Sequence, residues 1–123
     1  MTIRQAITRI DSLVPNTYSD ADKIAWLSNV DRTVSNSIME THADAYTVMY
    51  EEYDEESMDT ELLVPAPYDD LYLRWMEAQI HYYNGESAAY NAAITMYNTA
   101  YNTFANWYNR THMPLSQGSR FIF

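Results

Sequence analysis

Residues 86–109, ESAAYNAAITMYNTAYNTFANWYN, decide the fold. Tyr90, Ile94, Tyr97, Tyr101, Phe104 and Tyr108 recur at steps of four and three, and Ala89, Ala93, Met96, Ala100 and Trp107 form a second, adjacent row. That rhythm places both rows on neighbouring faces of one helix, and a helix so built must bury them against other elements. At about 1.5 Å per residue the helix would be roughly 36 Å long. The pattern stops after Asn109, and Pro114 and Gly118 forbid its continuation. The chain then ends in Arg120-Phe121-Ile122-Phe123.

Working back from this helix, Asn84-Gly85 supplies a left-handed stop for a preceding helix over 68–84. Pro67 suits its start, and Asp69 and Asp70 suit the positive end of its dipole. Tyr68, Leu71, Tyr72, Trp75, Ala78, Gln79 and Tyr82 mark its expected inner face. The tight turn makes these two helices an antiparallel hairpin.

Two more helices open the chain. Thr2 and Gln5 form a capping-box pair ahead of Ile3, Ala6, Ile7, Ile10 and Leu13, which share one face of a helix over 3–13. Val14-Pro15 ends it. Ser19 and Asp22 mark the next start, and Ile24, Leu27, Val30 or Asp31, Val34 and Ile38 keep the helical period to about Thr41, with Trp26 on a flank. Asn29, Arg32, Thr33 and Asn36 form the polar side. The expected fold is all-α: a small bundle of about four helices.

Between the two pairs the helical signal fades over 42–66. Tyr46, Val48 and Tyr50 alternate with Thr47 and Met49, which favours a short strand. Glu51, Glu52, Asp54, Glu55, Glu56, Asp59 and Glu61 follow in an acidic run with little to bury. A connection this long is uncommon in a compact domain. We expect a projecting acidic loop or hairpin, a candidate lumenal or inter-subunit face; the plain alternative is a solvated run that keeps the chain soluble.

Composition narrows function. The chain has 123 residues, enough for one domain, and a net charge of −10. No Lys or Arg occurs between Arg32 and Arg74, where eleven acids stand from Glu40 to Asp70, and no acid follows Glu86. Nonspecific grip on nucleic acid needs clustered cations, and none are present. There is no cysteine, so disulfides and thiolate metal sites are excluded. No apolar run reaches the roughly 20 residues of a spanning helix. Two glycines rule out a Gly-rich phosphate loop, and there is no Gly-x-Ser-x-Gly elbow. His42, His81 and His112 lie outside the Glu-x-x-His spacing of helical di-iron sites. We expect no catalysis, no metal and no cofactor.

Twelve tyrosines against three phenylalanines suit surfaces that keep a wet edge or become buried on assembly. Trp26, Trp75, Tyr97, Tyr101, Phe104 and Trp107 are the expected core aromatics. The C-terminal arm, 110–123, cannot bury Phe121, Ile122 and Phe123 locally. It can add a strand to another chain or plug an apolar groove; folding back on its own core is the plain alternative.

The chain resembles the small helical head–tail connector (adaptor) proteins of long-tailed bacteriophages. The likeness is carried by residues 1–11 (MTIRQAITRID), 23–28 (KIAWLS), 38–42 (IMETH), 60–72 (TELLVPAPYDDLY), 75–80 (WMEAQI), 84–86 (NGE) and 109–114 (NRTHMP). Its weight rests on their order along nearly the whole chain, and it is weakest over Ala43–Asp59. The resemblance implies a helical bundle assembling into a ring of twelve copies beneath the portal protein. Such a ring would extend the DNA channel toward a stopper or tail-completion protein, within the virion neck. It implies that the C-terminal segment docks subunits onto the portal or onto each other. By position, that role falls on Arg110, Pro114, Arg120, Phe121, Ile122 and Phe123. Acids along a channel would repel phosphate and let DNA slide without sequence-specific binding. Another neck component, or a monomeric helical module that binds a peptide in the Tyr-rich groove, are the alternatives.

Overall fold

A computed structural model describes residues 1–38 and 50–112. The protein is all-α, with α1 Ile3–Leu13, α2 Asp20–Ser37, α3 Asp70–Tyr83 and α4 Ser87–Thr111. Among the described residues there is no strand, only one isolated antiparallel bridge between Thr2 and Glu61. The expected strand around Tyr46–Tyr50 lies mostly outside the described residues, as does the end of the helix expected to reach Thr41.

Both first helices start where local chemistry dictates. Thr2 accepts from the Gln5 amide and the Gln5 side chain accepts from the Thr2 amide, a complete capping box. Ser19 caps α2 by accepting from the Asp22 amide. Ile3, Ala6, Ile7 and Ile10 are buried, but Leu13, expected on the same face, is 57% exposed. At the end of α1 its side chain overhangs the groove toward α3 instead of entering the core. Lys23 is buried at the start of α2, where its ammonium donates to Asp11 (2.6 Å) and to the Tyr18 carbonyl (2.9 Å), tying α2 to the end of α1.

Helix α3 runs through the middle, packed on α1, α2 and most extensively on α4. It is therefore buried on more than one face: Leu73, Met76 and Ile80 join Leu71, Tyr72 and Ala78 in the core. That broadens the inner face read from periodicity. Tyr82 departs from it, 59% exposed at the helix end. The helix begins at Asp70 rather than Tyr68, because Pro65–Asp69 fold into turns (Tyr68 N–H to Pro65 O, 2.9 Å) around a cis Ala66–Pro67 bond. Gly85, at φ 77°, reverses the chain as its position requires. The α3–α4 hairpin is antiparallel, with Tyr82 against Tyr90, Trp75 against Tyr97 and Tyr68 against Trp107 along its length.

On α4 three of the tyrosine row, Tyr97, Phe104 and Tyr108, are buried, and Ala93 is the one member of the second row that joins them. The rest of the second row lies along the flank. Ala100 and Trp107 are half-buried against the core, while Met96 is 46% exposed. Up to Asn109 the opposite face carries no charge. Thr95, Thr99 and Thr103 each return a hydroxyl hydrogen bond to the carbonyl four residues back, at 2.8 to 3.1 Å. Arg110, assigned from sequence to the arm, is instead in the last turn of α4.

Candidate assembly surface

The acidic segment does not project. Over 50–69 it is a strap laid across the start of α1 and the middle of α2. Every helix begins with amide donors that lack intrahelical partners. Here the Ile3 amide donates to Thr60 O (3.1 Å) and the Arg4 amide to Met58 O (2.8 Å), while Leu62 returns a bond to Met1 O (3.0 Å). The strap thus completes the cap of α1. It also has more to bury than its composition suggests: Leu62 and Val64 are in the core, and Tyr53, Met58 and Leu63 pack against it.

The fastening point is Asp31, a carboxylate with no exposure at all. One oxygen accepts from the Tyr53 hydroxyl (2.6 Å) and the Leu63 amide (3.1 Å), and the other accepts from the Tyr72 hydroxyl. Tyr72 in turn accepts from the Val64 amide (2.8 Å). One acid on α2 therefore joins α3 to two places on the strap. Burial pushes the Asp31 carboxyl above its ordinary range, against the pull of its three hydrogen bonds, of which Tyr53 and Tyr72 are the stronger. Burial, then the adjacent Asp31 charge, push the Tyr72 and Tyr53 phenols up, so both stay protonated as donors. A second knot holds the start of the strap: the Tyr50 hydroxyl pairs with Ser28, and Glu52 pairs with Arg32, which holds the Glu52 carboxyl below its usual range.

With its apolar residues turned inward, the strap presents its acids outward. Glu51, Glu52, Asp54, Glu55, Glu56, Asp59 and Glu61 are all exposed. Three meet cations at the strap's edges: Glu52 with Arg32, Asp59 with Arg4 (3.1 Å), and Glu61 with the Met1 amino group (3.0 Å). Asp54 shapes a tight turn, accepting from the Ser57 amide through its carbonyl and from the Glu56 amide through its carboxylate. Glu51, Glu55 and Glu56 meet no cation among the described residues.

The six aromatics assigned to the core divide evenly. Trp26, Tyr97 and Phe104 are buried; Trp75, Tyr101 and Trp107 are half-buried on the core's edge. Burial pushes the Tyr97 phenol up. At the α3–α4 turn, Tyr83 stacks on Trp26 (centroids 6.1 Å apart) and Tyr82 packs edge-on to Tyr83, forming an exposed aromatic cap; periodicity assigns Tyr82 to the inner face and does not single out Tyr83. Arg110 is exposed. Pro114, Arg120, Phe121, Ile122 and Phe123 lie outside the described residues.

Among the described residues no group of three or more His, Asp or Glu side chains is placed to hold a metal ion, and no helix is long and apolar enough to cross a membrane. Comparison with protein-family models, with curated proteins and with solved structures found no match.

Proposed function

We propose that the chain is a head–tail connector subunit. Copies associate into a ring below the portal protein, extend the DNA channel and form the platform for a stopper or tail-completion protein, in the neck of a virion. The observation that carries this reading is the fastened strap, which makes seven exposed acids a fixed feature of the folded subunit rather than a floppy solubility tag. A fixed acidic surface suits a channel part that must pass DNA without gripping it, since retention needs cations to displace phosphate counterions. The all-α bundle and the resemblance over residues 1–11, 60–72 and 109–114 support the same assignment. Burial of Tyr97 and Phe104 in the subunit's own core leaves less of a Tyr-rich groove for a peptide-binding module.

In this reading the subunit does no chemistry. Arg110, Pro114 and Arg120–Phe123 dock onto the portal or onto a neighbouring copy. Native mass spectrometry of the chain mixed with its portal tests it. A ring-sized complex is expected, and persistent monomer in the presence of portal sinks the assignment. Deleting Ser119–Phe123 leaves the helical circular dichroism spectrum and melting intact but abolishes docking; a deletion that unfolds the domain makes the arm part of the subunit's core instead.

A further inference from the structure

The acidic chain has few cations, and four of the six described meet a carboxylate; Arg9 on α1 and Arg110 at the end of α4 do not. Arg4 meets Asp59, Lys23 meets Asp11, Arg32 meets Glu52, and Arg74 meets Asp70 (3.2 Å) and Glu77 (3.5 Å). Arg9 is different. It is exposed on α1 and has no carboxylate partner among the described residues. It stands one turn from the overhanging Leu13, where a groove of about 320 Å³ runs between α1 and α3 and opens onto a shallower basin of about 700 Å³ along α1. The acids in these walls do not serve Arg9: Asp70 and Glu77 are taken by Arg74, and Asp69 lies 3.9 Å from the Met1 amino group. An uncompensated arginine is the kind of residue that anchors a protein contact, and the exposed Leu13 beside it supplies apolar surface for that contact to cover.

Over α2, the Asp54–Ser57 turn has the opposite surplus. Glu55 and Glu56 are exposed, meet no cation, and sit on a turn held by its own hydrogen bonds above Ala21, Ile24 and Ala25 of α2. The α2 cavity beneath this turn shares no lining residue with the α1–α3 groove. One subunit can therefore use both surfaces at once.

We infer that the α1–α3 groove, through Arg9 and Leu13, receives the Glu55–Glu56 turn of a second copy of this chain. Two complementary surfaces at different places on one chain make a head-to-tail contact, the kind that closes into rings. Complementary charge fixes the register and speeds encounter, and at about 0.1 M salt it acts only over roughly 10 Å. The inference rests on the self-assembly part of the connector reading but needs neither portal nor tail.

The chain contains no cysteine, so introduced thiols report unambiguously. Ser12→Cys and Ala25→Cys place thiols at exposed sites beside the groove and beside the turn, leaving every contact residue intact. With a short bismaleimide, a mixture of the two variants should give several-fold more cross-linked dimer than either alone. Arg9→Glu in the Ser12→Cys chain should remove that excess, and Glu55→Arg with Glu56→Arg in the Ala25→Cys chain should restore it. Circular dichroism verifies that each variant is folded. No excess in the mixture, or an excess indifferent to Arg9→Glu, overturns the contact. If native mass spectrometry with portal still gives a ring, the connector reading stands and the subunits meet elsewhere; if no oligomer forms in either experiment, both fall.

Discussion

Changing Tyr72 to Phe removes one oxygen atom from the core and should disconnect the strap. That hydroxyl has two duties, donating to Asp31 and accepting from the Val64 amide, and both Tyr72 and Val64 are fully buried. A hydrogen bond to a charged group contributes about 1.5–3 kcal/mol, and a buried amide left without an acceptor costs about 1–3 kcal/mol. Their sum puts the loss at about 2.5–6 kcal/mol, from a total stability on the order of 5–15 kcal/mol for a domain. For a chain of this size that corresponds to a Tm lower by roughly 10–25 °C. The ring itself is retained, so little cavity contributes and the loss reports the hydrogen bonds. Urea denaturation gives the free energy. Amide exchange gives the location: Leu63 and Val64 should lose protection before α3 and α4 do. A double-mutant cycle with Asp31→Asn should show coupling above about 1 kcal/mol, since the two side chains share one network. A Tyr72→Phe protein with unchanged Tm, or one whose Val64 amide remains protected, refutes Asp31 as the fastening point.

Further outcomes follow from the same packing. Phe104→Ala should cost about 3–5 kcal/mol, because the ring is fully buried, whereas Met96→Ala on the exposed flank of the same helix should be near neutral; chemical denaturation of the pair compares them directly. Gly85→Ala should cost roughly 1 kcal/mol from its positive φ alone, since a Cβ there meets no atom within 4 Å; thermal melts measure it. Asp31 gives a pH signature of defined sign. Its folded-state pKa is raised, so its contribution to stability is fully present below the ordinary carboxylate range and is lost as pH rises through the folded value. Asp31→Asn should remove that fall. Urea midpoints of the two proteins, plotted against pH, should therefore converge or cross on the alkaline side of about pH 4, and parallel curves contradict the assignment.

The helix ends were legible where a single residue imposes the geometry. Thr2 with Gln5, Ser19, and Gly85 each marked a boundary because capping and positive φ are local requirements. Where the geometry depends on distant residues, the reading failed. The run Glu51–Glu61 looked projecting because its acids dominate the composition; the amide donors of Ile3 and Arg4 that capture it lie more than fifty residues away. Asp31 sat at a core phase of α2, interchangeable with Val30 by periodicity. An acid at an apolar position is a signal, yet its partners Tyr53, Leu63 and Tyr72 could not be found from spacing. The two rows of α4 were both visible, but periodicity could not rank them; packing buries Tyr97, Phe104 and Tyr108 and leaves Met96 exposed.

Electron cryo-microscopy of the chain assembled on its portal tests the central claim most directly. The account predicts a closed ring coaxial with the portal, built of all-α subunits in which the strap over 50–69 stays docked on α1 and α2. Portal particles that bind no ring, or bind single copies at scattered positions, contradict it.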